Sequence, residues 1–572
     1  MTPERSVMRL LLRKCLLIIM ILETTGAGKL DAQLQHPGKP FGFESSLKAA
    51  EVMYLLPPMD PLELEADRLM NRQEGAKTLH FAVERTVDLS PATQGSWMQQ
   101  GKMRVWRVHV VSPEAYSLGL VFNGYQLEEG VKVFVYDPEM RHIKGAFTAG
   151  NNKPSRIFPV GHVPGQELIV EMQVPLELTD YGVLHLESVS HAFLPLFTEE
   201  LKRDIRFGRS QPCEIDINCE EGASWQLHKR SVVRIFTTRE YCTGVMVNTT
   251  AYDGIPYLLT SEHCINRTYY ADRSVFVFNY ESPSCFGGDG STDLSISGCD
   301  TISVGDSIDF SLVRLSLPPP DSFDVYFAGW DLNEDQFSRT VTIHHPEGDV
   351  KKISIDEDPP SIVEEPGDIP PGELRDYHYF SYWWIRQWDV GSTEGGSSGS
   401  PLFNSAGRMI GILTGGYASC GDSIGYDAEE DRVIYSKALN RNDYYTRMDV
   451  AWDYNGDTGP VLKPWLDPLD SGAVAIGGYH PAYITPPGSD PGARFRIFPN
   501  PVRGRLYIIP SSAGQHRISY RVLDLSGRLH MTGEFVDAEH ISLDIRMLSP
   551  GCYVIALEAG GEIEYKRFIV PE

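Results

Sequence analysis

The sequence is short of basic residues. Its 572 residues include 51 Lys and Arg against 77 Asp and Glu, which gives a formal net charge of −26. A chain this acidic argues against nucleic acids and other polyanions as partners. Its length is enough for about three or four domains.

Long apolar runs are also missing. The apolar run at residues 15–22 has eight residues, whereas a helix that spans a membrane needs about 20. Arginines and a lysine precede this run and small residues follow it, which is typical of a signal peptide. We therefore predict a signal peptide over residues 1–32 and a mature protein that is soluble or attached to a surface by other means.

Cysteine is absent from a long stretch of the chain. None occurs between Cys15 and Cys213, whereas seven of the nine cysteines lie from Cys213 to Cys420. This clustering predicts a central domain with disulfides, made for an oxidising compartment. A zinc site is the alternative, but no pair of cysteines has the close spacing of a structural zinc site. We expect no metal and no cofactor.

What the sequence does contain is a Gly/Ser-rich segment, residues 391–400, which reads Gly-Ser-Thr-Glu-Gly-Gly-Ser-Ser-Gly-Ser and precedes Pro401. A turn of this kind displays the Ser398 hydroxyl beside free backbone N–H groups. Serine becomes a nucleophile only when a histidine takes its proton and a carboxylate orients that histidine. Without such partners the segment would be interpreted as a flexible loop.

Both partners lie upstream. A short apolar strand runs into His263, and Asp309 stands at the head of another strand. The chain order His263, Asp309, Ser398 is the order of the chymotrypsin-like double β-barrel and differs from that of the α/β-hydrolases. We therefore predict a triad with His263 as general base, Asp309 as its orienting carboxylate and Ser398 as nucleophile.

Two neighbours of Ser398 complete the predicted site. The backbone N–H groups of Gly396 and Ser398 would form the oxyanion hole. The position just before the nucleophile is Ser397, where pancreatic trypsins have an aspartate that binds the new N-terminus on activation. That switch is therefore excluded, and any latency would have to come from the N-terminal region.

Beyond the triad, residues 213 to about 478 resemble the lysyl endopeptidases, a lysine-specific branch of the chymotrypsin-like serine proteases. The shared motifs occur in the same order at residues 213–219, 242–244, 259–264, 328–331, 343–346, 393–401 and 465–468. The resemblance implies the triad His263, Asp309 and Ser398. It also implies the disulfides Cys213–Cys420, Cys219–Cys285 and Cys242–Cys264. Cys299 has no partner in that scheme and is left free or paired with Cys552.

The resemblance further implies a carboxylate in the substrate pocket. A lysine ammonium removed from water needs an opposite charge, because an unpaired buried charge costs several kcal/mol. Of the acidic residues after Cys420, we choose Asp427, which follows a short Gly-containing loop. Gly415 and Gly416 would leave backbone groups open to pair with an extended substrate.

The region before the protease domain, residues 33–208, contains alternating strands separated by Gly, Pro and Asn turns. A β-sandwich is the simplest shape for it. Its position predicts a propeptide that aids folding or blocks the cleft, and an accessory binding domain is the alternative. We expect processing within residues 202–209, where Lys202 is the nearest site that the enzyme could cut itself.

A Gly/Pro-rich linker over residues 479–493 follows the protease domain, which we place at 209–478. The final segment, 494–572, resembles the C-terminal sorting domains of type IX secretion substrates. Its motifs occur at residues 498–501, 522–528, 548–554 and 567–570. The resemblance implies a β-sandwich, export across the outer membrane by the type IX machinery, and either release or attachment to the cell surface.

These observations predict a mainly β protein with three folded parts: a β-rich propeptide, a chymotrypsin-like double β-barrel and a sorting β-sandwich. The predicted function is secreted hydrolysis of peptide bonds on the carboxyl side of lysine in protein and peptide substrates. Two alternatives stay open. One is a trypsin-like protease that accepts Lys and Arg, and the other is a non-catalytic adhesin that kept a protease fold.

Overall fold

The computed structural model describes residues 38–41, 53–71, 77–195, 210–334, 337–364, 380–427, 432–435, 442–454, 461–481, 495–498, 505–510, 517–524, 527–536, 541–559 and 562–570. The predicted signal peptide and the predicted processing segment, residues 202–209, lie outside these ranges. Among the helices of the described ranges, none is both long enough and apolar enough to cross a membrane.

The N-terminal part of the described chain is built from strands and one helix. In chain order they are β1 (Met53–Leu55), α1 (Pro61–Met70), β2 (Leu79–His80), β3 (Ala82–Leu89), β4 (Ser96–Gln100), β5 (Met103–Val111), β6 (Ser117–Asn123), β7 (Gln126–Leu127), β8 (Lys132–Tyr136), β9 (Ile143–Phe147), β10 (Ile157–Pro164), β11 (Glu167–Pro175), β12 (Gly182–Val183) and β13 (Leu186–Ala192).

These strands form a sandwich. One sheet has the order β1-β5-β11-β8-β9 with β4 beside β5, the other has the order β10-β6-β13-β3, and β7 pairs with β12. Apolar side chains from both sheets meet in one core, for example Val108 and Val170 from the first sheet and Leu120 and Val189 from the second. Strand β2 does not join either sheet but pairs with a strand of the next region.

The central region begins with β14 (Ile215–Asp216) and continues with β15 (Val232–Phe236), β16 (Glu240–Met246), β17 (Tyr257–Thr260), α2 (Thr268–Arg273), β18 (Val275–Phe278), β19 (Ser295–Ser297), β20 (Cys299–Gly305) and β21 (Phe310–Leu315). Its second half contains β22 (Thr340–His344), β23 (Lys352–Asp356), β24 (Ser361–Ile362), β25 (Tyr382–Ile385), β26 (Pro401–Asn404), β27 (Met409–Gly416), β28 (Ser423–Asp427), β29 (Arg432–Tyr435), β30 (Asp443–Arg447), α3 (Met448–Asp453) and α4 (Lys463–Leu466).

Two antiparallel sheets make up this region, each forming one half of the double barrel. The first has the order β19-β18-β15-β16-β17-β21-β20, and the second has the order β14-β23-β22-β26-β27-β30-β25-β24. One core joins them, because Val245 and Leu259 of the first sheet belong to the same buried cluster as Ile343 and Ile412 of the second. The ends of strands from both sheets can therefore meet at a single junction.

The last region contains β31 (Phe495–Phe498), β32 (Arg505–Pro510), β33 (Arg517–Asp524), β34 (Leu529–Val536), β35 (Ile541–Asp544), β36 (Gly551–Ala559) and β37 (Glu562–Val570). They form two sheets, β31-β32-β35 and β34-β33-β36-β37. Residues of both sheets, among them Ile508 and Ile555, fill one core, so this region is a second sandwich.

The prediction of a mainly β protein with a double β-barrel between two β-rich regions is confirmed by this architecture. The exact domain boundaries stay predictions. So does the function of the N-terminal region as a propeptide.

Trp330 offers a test of the central core. It is fully buried, its indole N–H donates to the Asn248 carbonyl at 3.0 Å, and its ring lies 4.5 Å from that of Trp452. Trp330→Ala should lower the free energy of unfolding by about 3–5 kcal/mol, because it leaves a large cavity. Urea denaturation of the Ser398→Ala chain, which cannot digest itself if Ser398 is the nucleophile, would measure the loss.

The matched control is Trp97→Ala, which changes a tryptophan that is 40 % exposed on the N-terminal sandwich. A loss in the control as large as that of Trp330→Ala would contradict this account of the core.

Candidate active site

His263 and Asp309 are brought together by the pairing of two strands. His263 follows β17 and Asp309 directly precedes β21, and these strands are antiparallel with Thr260 opposite Ser311. In an antiparallel pair the end of one strand lies beside the start of the next. Asp309 adopts a positive φ of 60°, a conformation that aspartate tolerates better than most residues.

The two side chains are in direct contact. His263 Nδ1 lies 2.9 Å from Asp309 Oδ1 and 3.0 Å from Oδ2, and the His263 backbone N–H donates to Oδ1 at 3.1 Å. This arrangement fixes the ring and leaves Nε2 as the nitrogen able to accept a proton. Burial opposes the charged form of His263, but the Asp309 carboxylate, with Glu240 and Glu262, outweighs it, so the pKa of His263 is raised.

Ser398 enters the site from the second sheet. It lies in the turn that precedes β26 and is buried, and its carbonyl accepts from the Thr243 backbone N–H of β16 at 2.8 Å. Neither Ser398 Oγ nor His263 Nε2 has a hydrogen-bond partner among the described residues. Both atoms are therefore unengaged within the described part of the chain. Hydrogen bonds between such groups are often long before substrate binds.

Two glycines adopt the positive φ angles that the turn around Ser398 requires. Gly396 has a φ of +93°, and a Cβ there would lie 2.7 Å from the His345 carbonyl oxygen. Gly399 has a φ of +80°, and a Cβ there would lie 2.1 Å from Thr260 Oγ1. A side chain at either position would be strained by the positive φ. It would also collide with the backbone that follows β22 of the second sheet at Gly396, or with the first sheet at Gly399.

The predicted oxyanion donors point at one atom. The backbone N–H groups of Gly396 and Ser398 both donate to the carbonyl oxygen of Lys77, at N···O distances of 2.5 and 3.2 Å. Lys77 belongs to the N-terminal region. The structure therefore places a peptide carbonyl between the donors that the sequence predicted for an oxyanion.

The Lys77 side chain enters a buried pocket. Its Nζ donates to the carbonyl oxygens of Thr393 and Ala418 at 2.8 and 2.9 Å, and lies 3.7 Å from Asp443 Oδ1. Among the described residues, the ammonium thus meets three oxygen atoms, one of them on a carboxylate. The lysine side chain is 5 % exposed and Asp443 is fully buried.

Asp443 is held by a second set of contacts. Its Oδ2 accepts from the Trp388 indole N–H and from Thr393 Oγ1, both at 2.7 Å. Asp443 is the first residue of β30 and pairs with Gly416, while Tyr444 pairs with Gly415. These neighbours aim Oδ1 into the pocket.

Asp427, the carboxylate chosen from the sequence, ends β28, and its side chain lies outside the described residues. Its assignment to the pocket stays a prediction. Gly415 and Gly416 pair with β30 on one side, and their predicted pairing with substrate also stays a prediction.

Sequence reasoning missed Lys77 and Asp443. The sequence around Asp443 contains a pattern that could have identified it, because Asp443 is a lone carboxylate at the head of a buried strand, as Asp309 is. No local sequence pattern identifies Lys77.

Ser397, the residue before Ser398, contacts only uncharged groups in the two hydrogen bonds that its hydroxyl makes. Ser397 Oγ lies 2.8 Å from His344 Nδ1 and accepts from the Glu394 backbone N–H at 3.2 Å. Burial, with Lys77 and Lys352 nearby, lowers the pKa of His344 to about 3, so the ring is uncharged. The turn is thus held without the aspartate of the trypsins.

Three disulfides fasten the site region. They are Cys213–Cys420, Cys219–Cys285 and Cys242–Cys264, the pairs that the resemblance implies. The third joins β16 to the residue after His263. Cys299 is buried and free, and Cys552 is also free.

Two parts of the chain match known families. Residues 207–432 match the profile described as lysyl endopeptidase, C-terminal domain, and residues 496–571 match that of the secretion system C-terminal sorting domain. A lysyl endopeptidase of Pseudomonas aeruginosa is 25 % identical over 304 residues, which cover 50 % of this chain and 59 % of that protein. The alignment thus spans less than two thirds of the relative.

Solved structures also align with part of the chain. A Glu endopeptidase is 12 % identical with a TM-score of 0.24, and covers 42 % of this chain and 94 % of its own. Kallikrein-related peptidase 10 is 15 % identical with a TM-score of 0.25, and covers 40 % of this chain and 93 % of its own.

The C-terminal sorting domain marks type IX export, which directs a protein to the cell surface or the medium. Residues 207–432 are thus similar to the lysyl endopeptidase C-terminal domain, and residues 496–571 are similar to the secretion system C-terminal sorting domain.

Proposed function

We propose that this chain is a serine endopeptidase that hydrolyses peptide bonds on the carboxyl side of lysine. The observation that carries the proposal is the placement of Lys77. Its carbonyl oxygen accepts from the Gly396 and Ser398 N–H groups while its ammonium reaches Asp443 and two carbonyl oxygens. One lysine thus spans the distance from the predicted reaction centre to a carboxylate.

The reaction would follow from the groups at this centre. Ser398 Oγ attacks the carbonyl carbon of the substrate lysine as His263 Nε2 takes the hydroxyl proton. The imidazolium, stabilised by Asp309, gives that proton to the amine of the following residue, which leaves. An acyl-enzyme remains, and water activated by His263 then hydrolyses it and releases the lysine carboxylate.

The oxyanion donors would supply a large part of the rate. Negative charge develops on the substrate oxygen as Ser398 attacks, and the two N–H groups are already fixed by the turn. One such donor is worth roughly 3 kcal/mol of the barrier.

The pocket favours lysine over arginine by its length. The Lys77 ammonium is already in contact with the Thr393 and Ala418 oxygens. An arginine would place a planar, branched guanidinium at this depth, where the Thr393 and Ala418 oxygens lie at hydrogen-bond distance from a single nitrogen. Arginine would therefore have to displace these groups.

The sorting domain supports protein and peptide substrates outside the cell, reached through the type IX machinery. Attachment of the tail to the outer surface is part of the proposal.

The cleavage pattern of the processed, secreted enzyme is the direct test. On a peptide mixture with Lys and Arg sites, we expect cleavage after Lys to be preferred by about 100-fold, since the bulkier guanidinium would have to displace the oxygens that contact the ammonium. Ser398→Ala should reduce kcat by about 10⁶-fold. Equal cleavage after Arg would favour the trypsin-like alternative, and absence of cleavage with no labelling by a serine-directed phosphonate would favour the adhesin.

Asp443→Asn should lower kcat/KM for lysine substrates by about 100-fold or more. The change leaves the ammonium without a charged partner in a buried pocket, at a cost of about 3–5 kcal/mol. Asp427→Asn is the discriminating variant: if Asp443 is the partner of the ammonium, this change leaves kcat/KM within about twofold. If the loss of kcat/KM appeared in Asp427→Asn instead, Asp427 would be the pocket carboxylate, as chosen from the sequence.

The acid limb of the pH profile should report His263. Asp309 raises the pKa of His263, and a general base must be neutral to accept a proton. We therefore expect kcat/KM to fall as the pH drops through a pKa above the ordinary histidine value of about 6.5. Asp309→Asn should reduce kcat by about 10⁴-fold and move this limb to lower pH. Glu262→Gln, a weaker neighbour, should move it less and keep most of the activity. An unmoved limb in Asp309→Asn would contradict the assigned role.

A further inference from the structure

Residues 77–81 run through the candidate site, and we name them the cleft segment. Lys77 fills the pocket and places its carbonyl oxygen on the Gly396 and Ser398 N–H groups. These contacts are made by one residue of the same chain. The peptide bond that follows this carbonyl is Lys77–Thr78.

Beyond Thr78 the cleft segment continues as an added strand. Leu79 pairs with Tyr241 and His80 pairs with Glu240, both antiparallel on β16. Strand addition to a sheet edge is a common way for proteins to bind extended peptides. The segment therefore lies along the side of the site that would hold the leaving part of a substrate.

The end of the cleft segment is firmly anchored. The ring of Phe81 stacks on that of Tyr241 with centroids 4.1 Å apart, and the Phe81 backbone N–H donates to the Arg239 carbonyl at 2.9 Å. The Phe81 carbonyl in turn accepts from the backbone N–H of Phe193, in the N-terminal sandwich. The segment thus ties that sandwich to the first sheet of the double barrel.

Further contacts fix the sandwich in this place. Glu84 accepts from Thr238 at 3.1 Å and from the Tyr269 hydroxyl at 3.0 Å. Arg273 of α2 donates to Glu187 at 2.6 Å. The N-terminal region is therefore docked beside the site at several points, independently of Lys77.

We propose that Lys77–Thr78 is a peptide bond presented to Ser398 in cis, so that the cleft segment is the first substrate of the enzyme and blocks other substrates until it leaves. This inference rests on the proposed function. It differs from the sequence-based expectation, in which Lys202 is the nearest site of self-cleavage.

The step balances as ordinary hydrolysis. Ser398 Oγ bonds to the Lys77 carbonyl carbon, the bond from that carbon to Thr78 N breaks, and the Ser398 proton passes through His263 to the Thr78 amine. Water then hydrolyses the acyl-enzyme and leaves a Lys77 carboxylate.

The anchored strand makes this step self-limiting. The new Thr78 amine stays beside the acyl-enzyme, held by the pairing of Leu79 with Tyr241 and by the Phe81 contacts. An amine held in place has a high effective concentration and can re-form the bond. Access by other peptides therefore requires that the N-terminal region separates from the barrel.

The test measures how fast Ser398 is labelled in the intact chain. Freshly purified full-length protein is treated with a small lysine diphenyl phosphonate that carries a fluorophore, and labelling of the full-length band is followed with time. Lys77→Gln removes the pocket-filling ammonium. Lys102→Gln, an exposed lysine of the same region, is the matched control, and Ser398→Ala is the blank.

We expect the full-length band of Lys77→Gln to label at least about tenfold faster than wild type and Lys102→Gln. A new N-terminus at Thr78 should appear with time in wild type and Lys102→Gln, and be absent in Ser398→Ala and Lys77→Gln. Equal labelling rates in wild type and Lys77→Gln would overturn the blocking role. New N-termini only at other lysines would overturn the cis cleavage.

A second variant keeps the test independent of any folding defect in Lys77→Gln. Thr78→Pro retains the lysine in the pocket but makes the next peptide bond that of a proline, which lacks the N–H and has a fixed φ. Labelling of Ser398 should stay slow in this variant, and no new N-terminus should appear at position 78. If no variant were labelled, even after the N-terminal region was removed by processing, the proposed function itself would fail and this inference with it.

Discussion

Two consecutive residues of β16, Cys242 and Thr243, hold the His263 loop and the Ser398 turn together. Cys242 is bonded to Cys264, next to His263. The Thr243 backbone N–H donates to the Ser398 carbonyl, and its hydroxyl donates to the Gly396 carbonyl at 2.9 Å. The loop that contains His263 follows a strand of the first sheet, and the turn that contains Ser398 precedes a strand of the second. Cys242 and Thr243 therefore fix the two halves of the barrel to one another.

The same hydroxyl also accepts from the His345 backbone N–H at 3.1 Å. A buried hydroxyl that both donates and accepts leaves little freedom to the loops around it, because breaking either bond would leave a buried polar group unpaired. The turn that carries the Gly396 and Ser398 N–H groups is therefore held by buried hydrogen bonds. If these N–H groups form the proposed oxyanion hole, donors fixed in this way cost no reorganisation during the reaction.

The buried Asp443 carboxylate also depends on its hydrogen-bond partners. A buried carboxylate is tolerated only when hydrogen bonds or a cation compensate its lost hydration. Trp388 and Thr393 satisfy one oxygen of Asp443, and the other faces Nζ of Lys77. The pocket is thus a half-satisfied site whose remaining partner is an ammonium. In this structure the chain itself provides that partner, because Lys77 of the N-terminal region fills the pocket.

Much of the fold class followed from local pattern. Alternating strands, turn residues and clustered cysteines predicted a mainly β protein with a stapled central part, and the structure confirms the class. The chain order of His263, Asp309 and Ser398 suggested the double barrel, because each residue stands at a strand end with its own short signature. The disulfide pairs came only from resemblance, since spacing alone does not define connectivity.

The sequence by itself determined the chemistry available near Ser398: a glycine-rich turn, a histidine and a carboxylate, each set by residues close to it in the chain. Only the tertiary structure decided what meets in the pocket. Lys77 and Asp443 are far apart in sequence and carry no shared motif, and the carboxylate chosen from the sequence was Asp427. Their contact depends on the docking of one region on another and on the register of β30 beside β27. Such long-range placement is fixed by the packing of whole sheets. The local signal at Asp443, a lone carboxylate at the head of a buried strand, therefore does not reveal that Lys77 meets it.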